Sequence, residues 1–376
     1  MAGIYLHIPF CRQACHYCDF HFSTSHKNKD EFVLSLLKEI ELRRDYLQGE
    51  KIDTIYFGGG TPSLLSADEI ARIIDRLQQF HDLSGVKEVT LEANPDDLTA
   101  TYLRKLRHTT VNRLSIGIQS FRDEDLKLMN RAHDSKQAQR CVPEAADIGF
   151  ENITIDLIYG IPGLSQSDWQ RNLETALQLP INHLSSYCLT VEPKTALAFQ
   201  VNKGKVPAVN DDEAADQFDY LISFTEAAGM PWYEVSNFAK HGFESKHNSS
   251  YWTGARYLGL GPAAHSFNGK NRSWNVKSNA GYIQQINENI LPSEEETLTA
   301  EERFNEVVLT SLRTRKGLTL SDIRKYGNEN TLKSILEIAR KKSDRELLEL
   351  GDENIVLTRK GLLFADAIAS EFFITT

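Results

Sequence analysis

Three thiols, Cys11, Cys15 and Cys18, fall within eight positions and are spaced C-x3-C-x2-C. The other two cysteines, Cys141 and Cys188, lie far from them. An odd, unevenly spread set of five argues against a disulfide framework. Gathered thiolates are soft metal ligands, and two kinds of centre suit them. Zinc would add His16 or His21 to the three thiolates, but structural zinc sites usually draw on two separated ligand pairs. A [4Fe–4S] cluster has four irons, normally held by four thiolates. Three thiolates leave one iron open to a small molecule carrying an amine and a carboxylate. Cys141 and Cys188 read more plainly as a helix thiol and a strand thiol.

The elements that must hold this loop are strands alternating with helices. Six short segments rich in β-branched and aromatic residues occupy 4–10, 54–60, 88–95, 113–120, 152–160 and 183–191. Helical periodicity fills the spaces between them, as in Phe32, Leu36, Ile40 and Leu47 on one face. Ser66 with Glu69 three residues later predicts a capping box, Pro180 a helix stop and Gly229 a C-cap. Strand–helix repetition implies parallel strands with right-handed crossovers. Six units are too few for a closed eight-fold barrel, so the expected α/β fold is a partial (βα)6 barrel with an open side. In such folds ligands sit at the carboxyl ends of the strands. There lie the thiol loop after strand one, "GGGTP" after strand two, Glu92 and Asn94 on strand three and Gln119 on strand four. Asp156 and Tyr187 lie in strands five and six.

Three regions are expected: 1–229 as the barrel, 230–298 as a linking region without clear period, and 299–376 as a winged-helix-like α+β domain. In 299–376, 13 basic and 13 acidic residues leave no net charge, and the whole chain carries −10. Phosphate-gripping proteins need a basic surface, so a nucleic-acid partner is not expected. No apolar run reaches the roughly 18 residues of a membrane span. The N-terminus lacks a signal peptide's basic lead and small-residue cleavage site, so a cytoplasmic location is expected, with peripheral membrane contact left open.

The C-x3-C-x2-C loop, with Tyr17 before the third cysteine, resembles the signature of the radical S-adenosylmethionine (SAM) superfamily. "GGGTP" resembles its second hallmark, where backbone N–H groups receive the amino and carboxylate end of SAM. The resemblance implies a radical-SAM partial barrel, a [4Fe–4S] cluster on Cys11, Cys15 and Cys18, and reductive cleavage of SAM to a 5′-deoxyadenosyl radical. "IYLHIPFC", "LSIGIQSF" and "IDLIYGIPG" are similar to the branch containing the oxygen-independent coproporphyrinogen III dehydrogenase, across nearly the whole chain. That resemblance carries over Tyr5, Tyr17, Gly59, Gly60, Thr61, Glu92, Gln119, Arg131 and Asp156 as SAM contacts. The dehydrogenase has a fourth cysteine where this chain has Phe20, and a longer segment ahead of the cluster.

"HNSSYW" at 247–252 resembles the HNxxYW motif of HemW-type heme chaperones in the same branch, as do "LGLGPAAHSF" and "LTSLRTRKGL". This resemblance implies heme binding and delivery to acceptor hemoproteins, membrane respiratory proteins among them, without the dehydrogenase activity, and a homodimer. Heme needs flat apolar walls and often an imidazole on iron. His247, Asn248, Tyr251 and Trp252 are therefore expected at heme, with His265 as a second candidate imidazole. The plainer reading makes His247 and Asn248 loop hydrogen-bonders and the aromatics core. Coproporphyrinogen III decarboxylation is the alternative activity, and a zinc-stabilised interaction protein a third reading.

Overall fold

The structure, a computed structural model, describes residues 2–374. The barrel half comprises β1 (Ala2–Ile8), α1 (Lys29–Leu42), β2 (Ile52–Gly59), α2 (Ala67–Phe80), β3 (Glu88–Ala93), α3 (Ala100–Leu106), β4 (Arg113–Gln119), α4 (Asp123–Leu128) and α5 (Ser135–Asp147). It continues through β5 (Asn152–Tyr159), α6 (Gln166–Gln178), β6 (His183–Cys188), α7 (Ala196–Asn202) and α8 (Asp211–Ala227). Strands β1 to β6 lie side by side in chain order, all parallel. That is the expected partial barrel. Ile4, Leu6 and Ile8 are fully buried, so the alternating face of β1 that carries Gly3, Tyr5 and His7 is the concave one. Ser66 and Glu69 form the predicted capping box, α6 stops short of Pro180, and Gly229 after α8 takes φ +73°.

Residues 230–298 are more ordered than a linking region. They hold β7 (Trp232–Glu234), β8 (Asn237–Ala239), α9 (Lys246–Trp252), β9 (Arg256–Leu260), β10 (His265–Phe267), β11 (Asn271–Asn275), α10 (Asn279–Asn287) and β12 (Ser293–Thr297). These strands extend the sheet on both sides, giving the order β12-β11-β10-β9-β1-β2-β3-β4-β5-β6-β8-β7. Strand β9 runs parallel to β1, and β10 to β12 follow antiparallel. A buried ionic network ties this extension to α1. Arg43 Nε donates to Glu39 Oε1 at 2.9 Å and Arg43 Nη2 to Asn275 Oδ1 at 2.8 Å. Glu39 Oε2 accepts from the Gly261 N–H at 2.7 Å and from the Tyr282 hydroxyl at 2.6 Å. Every partner is supplied, which a buried charge pair requires.

The last region holds α11 (Ala300–Leu312), β13 (Leu318–Thr319), α12 (Leu320–Tyr326), α13 (Glu329–Ser343), β14 (Leu348–Leu350), β15 (Asn354–Leu357), α14 (Arg359–Leu362) and α15 (Ala365–Glu371). Five helices accompany the small antiparallel sheet β13-β15-β14. Leu363 and Phe364 separate α14 from α15. Both are exposed and line the cavity described next.

Candidate functional site

A cavity of about 1130 Å³ opens at the carboxyl ends of the strands. Pockets of roughly 300–1,000 Å³ hold one drug-sized ligand, so this space exceeds a single small molecule. Its wall includes Cys11, Cys15 and Cys18. The loop carrying them is pinned at both ends. Cys11 N–H donates to Ser23 O at 3.0 Å, and His16 N–H to Met129 O at 3.0 Å. The Gln13 side chain donates to Asn130 Oδ1 at 2.7 Å, and Asn130 Nδ2 donates to Ala14 O at 2.7 Å.

Two donors reach the sulfurs: Thr61 Oγ1 to Cys11 Sγ at 3.4 Å and Arg131 Nη1 to Cys15 Sγ at 3.2 Å. Burial raises the Cys11 thiol and pushes Cys18 up to about 11. Thiols so placed ionise when they ligate a cation, which deprotonates its ligands outright. Among the described residues, no three His, Cys, Asp or Glu side chains already converge on one ion position. His16 and His21 are engaged elsewhere, His16 Nδ1 with Leu128 O at 2.8 Å and His21 Nε2 with Asn279 Oδ1 at 2.8 Å.

The glycines of "GGGTP" are there for clearance. Gly59 has φ +107°, and a Cβ on it would meet the His7 ring at 2.6 Å; on Gly60 it would meet Phe10 O at 2.7 Å. The amides of this stretch are already used, contrary to the expectation that they are free for a ligand. Gly60 N–H donates to Ile8 O, Thr61 N–H to Phe10 O, and Gly59 N–H to Glu92 Oε2 at 3.2 Å. The bare glycine surface is what faces the cavity.

The polar lining of the cavity is built from β3, β4 and β5. Glu92 Oε1 accepts from the Tyr56 hydroxyl at 2.8 Å, and its carboxyl is pushed up to about 7 by burial, with the Asp156 charge adding. Burial likewise raises Asp156 to about 6, against the Ser185 hydrogen bond and the charges of Arg113 and Arg131. Arg131 Nη2 donates to Asn94 Oδ1 and Gly117 O, each at 2.7 Å, while its buried Nε has no hydrogen-bond partner among the described residues. Gln119 takes φ +68° beside a register shift in β4, an unfavourable backbone state that turns its side chain to the rim. Tyr17, Gly59, Gly60, Thr61, Glu92, Gln119, Arg131 and Asp156 all line the cavity. Tyr5 does not; it lies lower, stacked on Tyr56 at 6.0 Å. Cys188 also lines the cavity, and Cys141 is buried within α5.

The HNxxYW residues lie deeper in the barrel, on α9. His247 is buried; its Nδ1 pairs with Thr54 Oγ1 at 2.8 Å and its Nε2 with the Tyr251 hydroxyl at 2.9 Å. Its ring stacks on Tyr56 at 5.0 Å. Burial, then the Arg113 charge, lowers its pKa to about 3, so it is neutral. Asn248 N–H caps onto Ser245 Oγ, and Trp252 faces the Arg313 guanidinium at 5.9 Å. As folded, both ring nitrogens of His247 meet a hydroxyl. His265 stands apart on β10, exposed, its ring 6.1 Å from Trp274.

Sequence reasoning missed the cavity's apolar wall of Phe20, Leu363 and Phe364, exposed by 68%, 43% and 51%. The missing signal was tertiary: the C-terminal region folds back over the barrel mouth.

Residues 5–176 match the radical SAM superfamily, and residues 298–364 match the HemN C-terminal domain. Heme chaperone HemW of Mycobacterium tuberculosis (strain ATCC 25618 / H37Rv) is 36% identical over 371 residues, covering 97% of this chain and 93% of the relative. Heme chaperone HemW of Bacillus subtilis (strain 168) is 35% identical over 378 residues, covering 99% of each. The chain belongs to the HemW family of the radical SAM superfamily. Among solved structures, coproporphyrinogen III oxidase (HemN) from Escherichia coli superposes with a TM-score of 0.85 over 99% of this chain and 90% of that one. At 24% identity that likeness shows the fold alone, and the dehydrogenase alternative is not favoured. HemW-family membership implies a [4Fe–4S] cluster and SAM. The three thiols on one cavity wall, beside a glycine surface that tolerates no Cβ, fit that pair of groups. Among the described residues no helix is long and apolar enough to cross a membrane.

Proposed function

We propose that this chain is a heme chaperone: it binds heme and passes it to acceptor hemoproteins from a radical-SAM scaffold. The observation that carries the reading is 35–36% identity, over nearly the full length, to proteins named heme chaperone HemW. Cys11, Cys15 and Cys18 would hold the cluster. Gly59, Gly60, Thr61, Arg131, Glu92, Gln119 and Asp156 would hold SAM, with Tyr17 beside them and Tyr5 acting from below through Tyr56. Bound together, cluster and SAM supply one-electron chemistry. The chain's own part is to seat them, with Arg131 and Thr61 directed at the sulfurs, while the Glu92 and Asp156 carboxyls would serve SAM's ammonium, its sulfonium or its ribose hydroxyls.

Residues 1–229 serve as the cofactor barrel, 230–298 as its heme-handling flank and 299–376 as a covering domain. The acceptors include membrane respiratory proteins, which the chain meets from the cytoplasm at the membrane surface, as a homodimer. The test is an anaerobic preparation reconstituted with iron and sulfide, then titrated with heme. About four irons per chain and a saturable Soret band are expected. Absence of heme binding overturns the proposal.

A further inference from the structure

We propose that Arg113 is the positioning residue that sets the charge of the SAM site, holding Glu92 and Asp156 as carboxylates from inside the barrel. The inference rests on the reading that these two carboxyls meet SAM.

The strand pattern puts the cation there. In β3, β4 and β5, Val89, Leu91, Leu114, Ile116, Ile153 and Ile155 are buried under the helices, and the residues between them face inward. Glu92, Ser115 and Asp156 belong to the inward set, since they line the cavity. Arg113 lies two residues before Ser115 and so points the same way, one row below the cavity. Its register neighbours are Thr90 on one side and Asn152 on the other.

The row is polar and unsatisfied. Arg113 is 1% exposed. Its Nε and Nη1 have no hydrogen-bond partner among the described residues, and the same holds for Thr90 Oγ1 and Asn152 Oδ1. A buried guanidinium is costly unless opposite charge lies within reach. Three carboxyls face the same interior. Glu88 is committed at the floor, where it accepts from the Lys246 N–H at 2.9 Å and the His247 N–H at 3.0 Å. Glu92 and Asp156 are the other two, and the Arg113 charge acts on both. Among the described residues no hydrogen bond joins Arg113 to either, so it works through the low-dielectric interior.

The other groups facing this pair add little charge. Burial first, then Arg113, lowers His183 and His247, so both rings are neutral. Tyr5, Tyr56 and Tyr187 face the carboxyls from the strands, Tyr251 from α9 and Tyr17 from the thiol loop. Burial raises each of these hydroxyls, so they are neutral as well. Cys11 faces Glu92 from the thiol loop. Arg131 is the second cation near Asp156, and it is tied to Cys15 Sγ and Asn94.

SAM carries a sulfonium and an ammonium against one carboxylate, so a receptor for it needs negative charge. Burial pushes Glu92 up to about 7 and Asp156 up to about 6 with Arg113 in place. A fixed positive charge favours the ionised carboxyl, so its removal raises both further. Without Arg113 the pair would hold protons at neutral pH and meet a cation uncharged.

The experiment measures SAM binding by equilibrium dialysis, from about pH 6 to about pH 9, on anaerobically reconstituted full-length protein. Wild-type affinity should fall below about pH 7. In Arg113→Met that fall should move up by about one pH unit, a roughly tenfold loss on the acid side that vanishes toward pH ~9. SAM's own titration is common to both proteins. Arg113→Lys keeps the charge and should keep the wild-type profile, and about four irons per chain show that each variant is folded. An unmoved profile in Arg113→Met overturns the inference, and so does a loss equal at every pH, the mark of a merely structural arginine. Should Arg113→Met fail to fold, Arg113→Gln, which keeps a buried donor, is read in the same way. Failure of the wild-type protein to bind SAM overturns instead the SAM-site reading beneath it.

Discussion

The two levels of the barrel interior use similar residues to opposite effect. At the floor, Thr54, Glu88, Tyr251 and His247 satisfy one another: Glu88 accepts the N–H groups of Lys246 and His247, and the imidazole is closed at both nitrogens. At the rim, thiols, carboxylates and Arg131 face an open cavity, and Arg131 Nε has no hydrogen-bond partner among the described residues. A reactive residue type becomes a site only where its neighbours leave an atom free. Completing its polar partners makes the floor a stabilising element, and leaving them incomplete makes the rim a receptor.

The sharpest test of that contrast is Cys15→Ala. It is expected to take iron content from about four per chain toward zero, with the fold retained by circular dichroism. An unchanged iron count would place the cluster elsewhere. Next, His247→Ala should cost about 3 kcal/mol in urea unfolding, because it removes a buried ring and orphans two hydroxyls. A marginal loss would mean the floor is not closed. Third, Gly59→Ala should cost about 2 kcal/mol, from its positive φ and the approach to His7, and weaken SAM binding with it.

The fourth test uses pH. Glu92, pushed up to about 7, binds a proton in the folded chain that the unfolded chain releases near its ordinary value, so stability falls as pH rises between them. His247, lowered to about 3, does the reverse: the unfolded chain takes the proton first, and stability is lost as pH falls below the ordinary histidine value. Glu92→Gln should therefore remove part of the decline between the ordinary carboxylate value and about pH 7, about 1–2 kcal/mol, and leave the His247 loss at lower pH intact. Smallest of all, Cys188→Ala should leave the iron count unchanged and shift stability by less than about 1 kcal/mol.

Much of this was legible locally. The strand segments fell within a few residues of β1 to β6, because their patterns and punctuation are written in adjacent residues. The capping box at Ser66 is likewise a three-residue signal. The thiol loop and eight of the nine proposed SAM residues were drawn to one cavity by the strand-end rule and the family likeness together. The failures were all distant. Strands of three to five residues in 230–298 pair with β1 and β6, and no local period announces that. The hydrogen bond of His247 to Thr54 spans nearly two hundred positions, so neither residue type nor motif announces it. The amides of "GGGTP" were consumed by Ile8 and Phe10, partners that exist only once β1 and β2 align.

Strand β1 sits fifth in the sheet, between β2 and β9. During synthesis β1 must therefore wait for residues 256–260 before its second edge is covered. Throughout that interval an apolar strand edge is open to wrong pairing. A nascent chain halted near residue 229 should aggregate, or recruit a holding factor, until translation resumes.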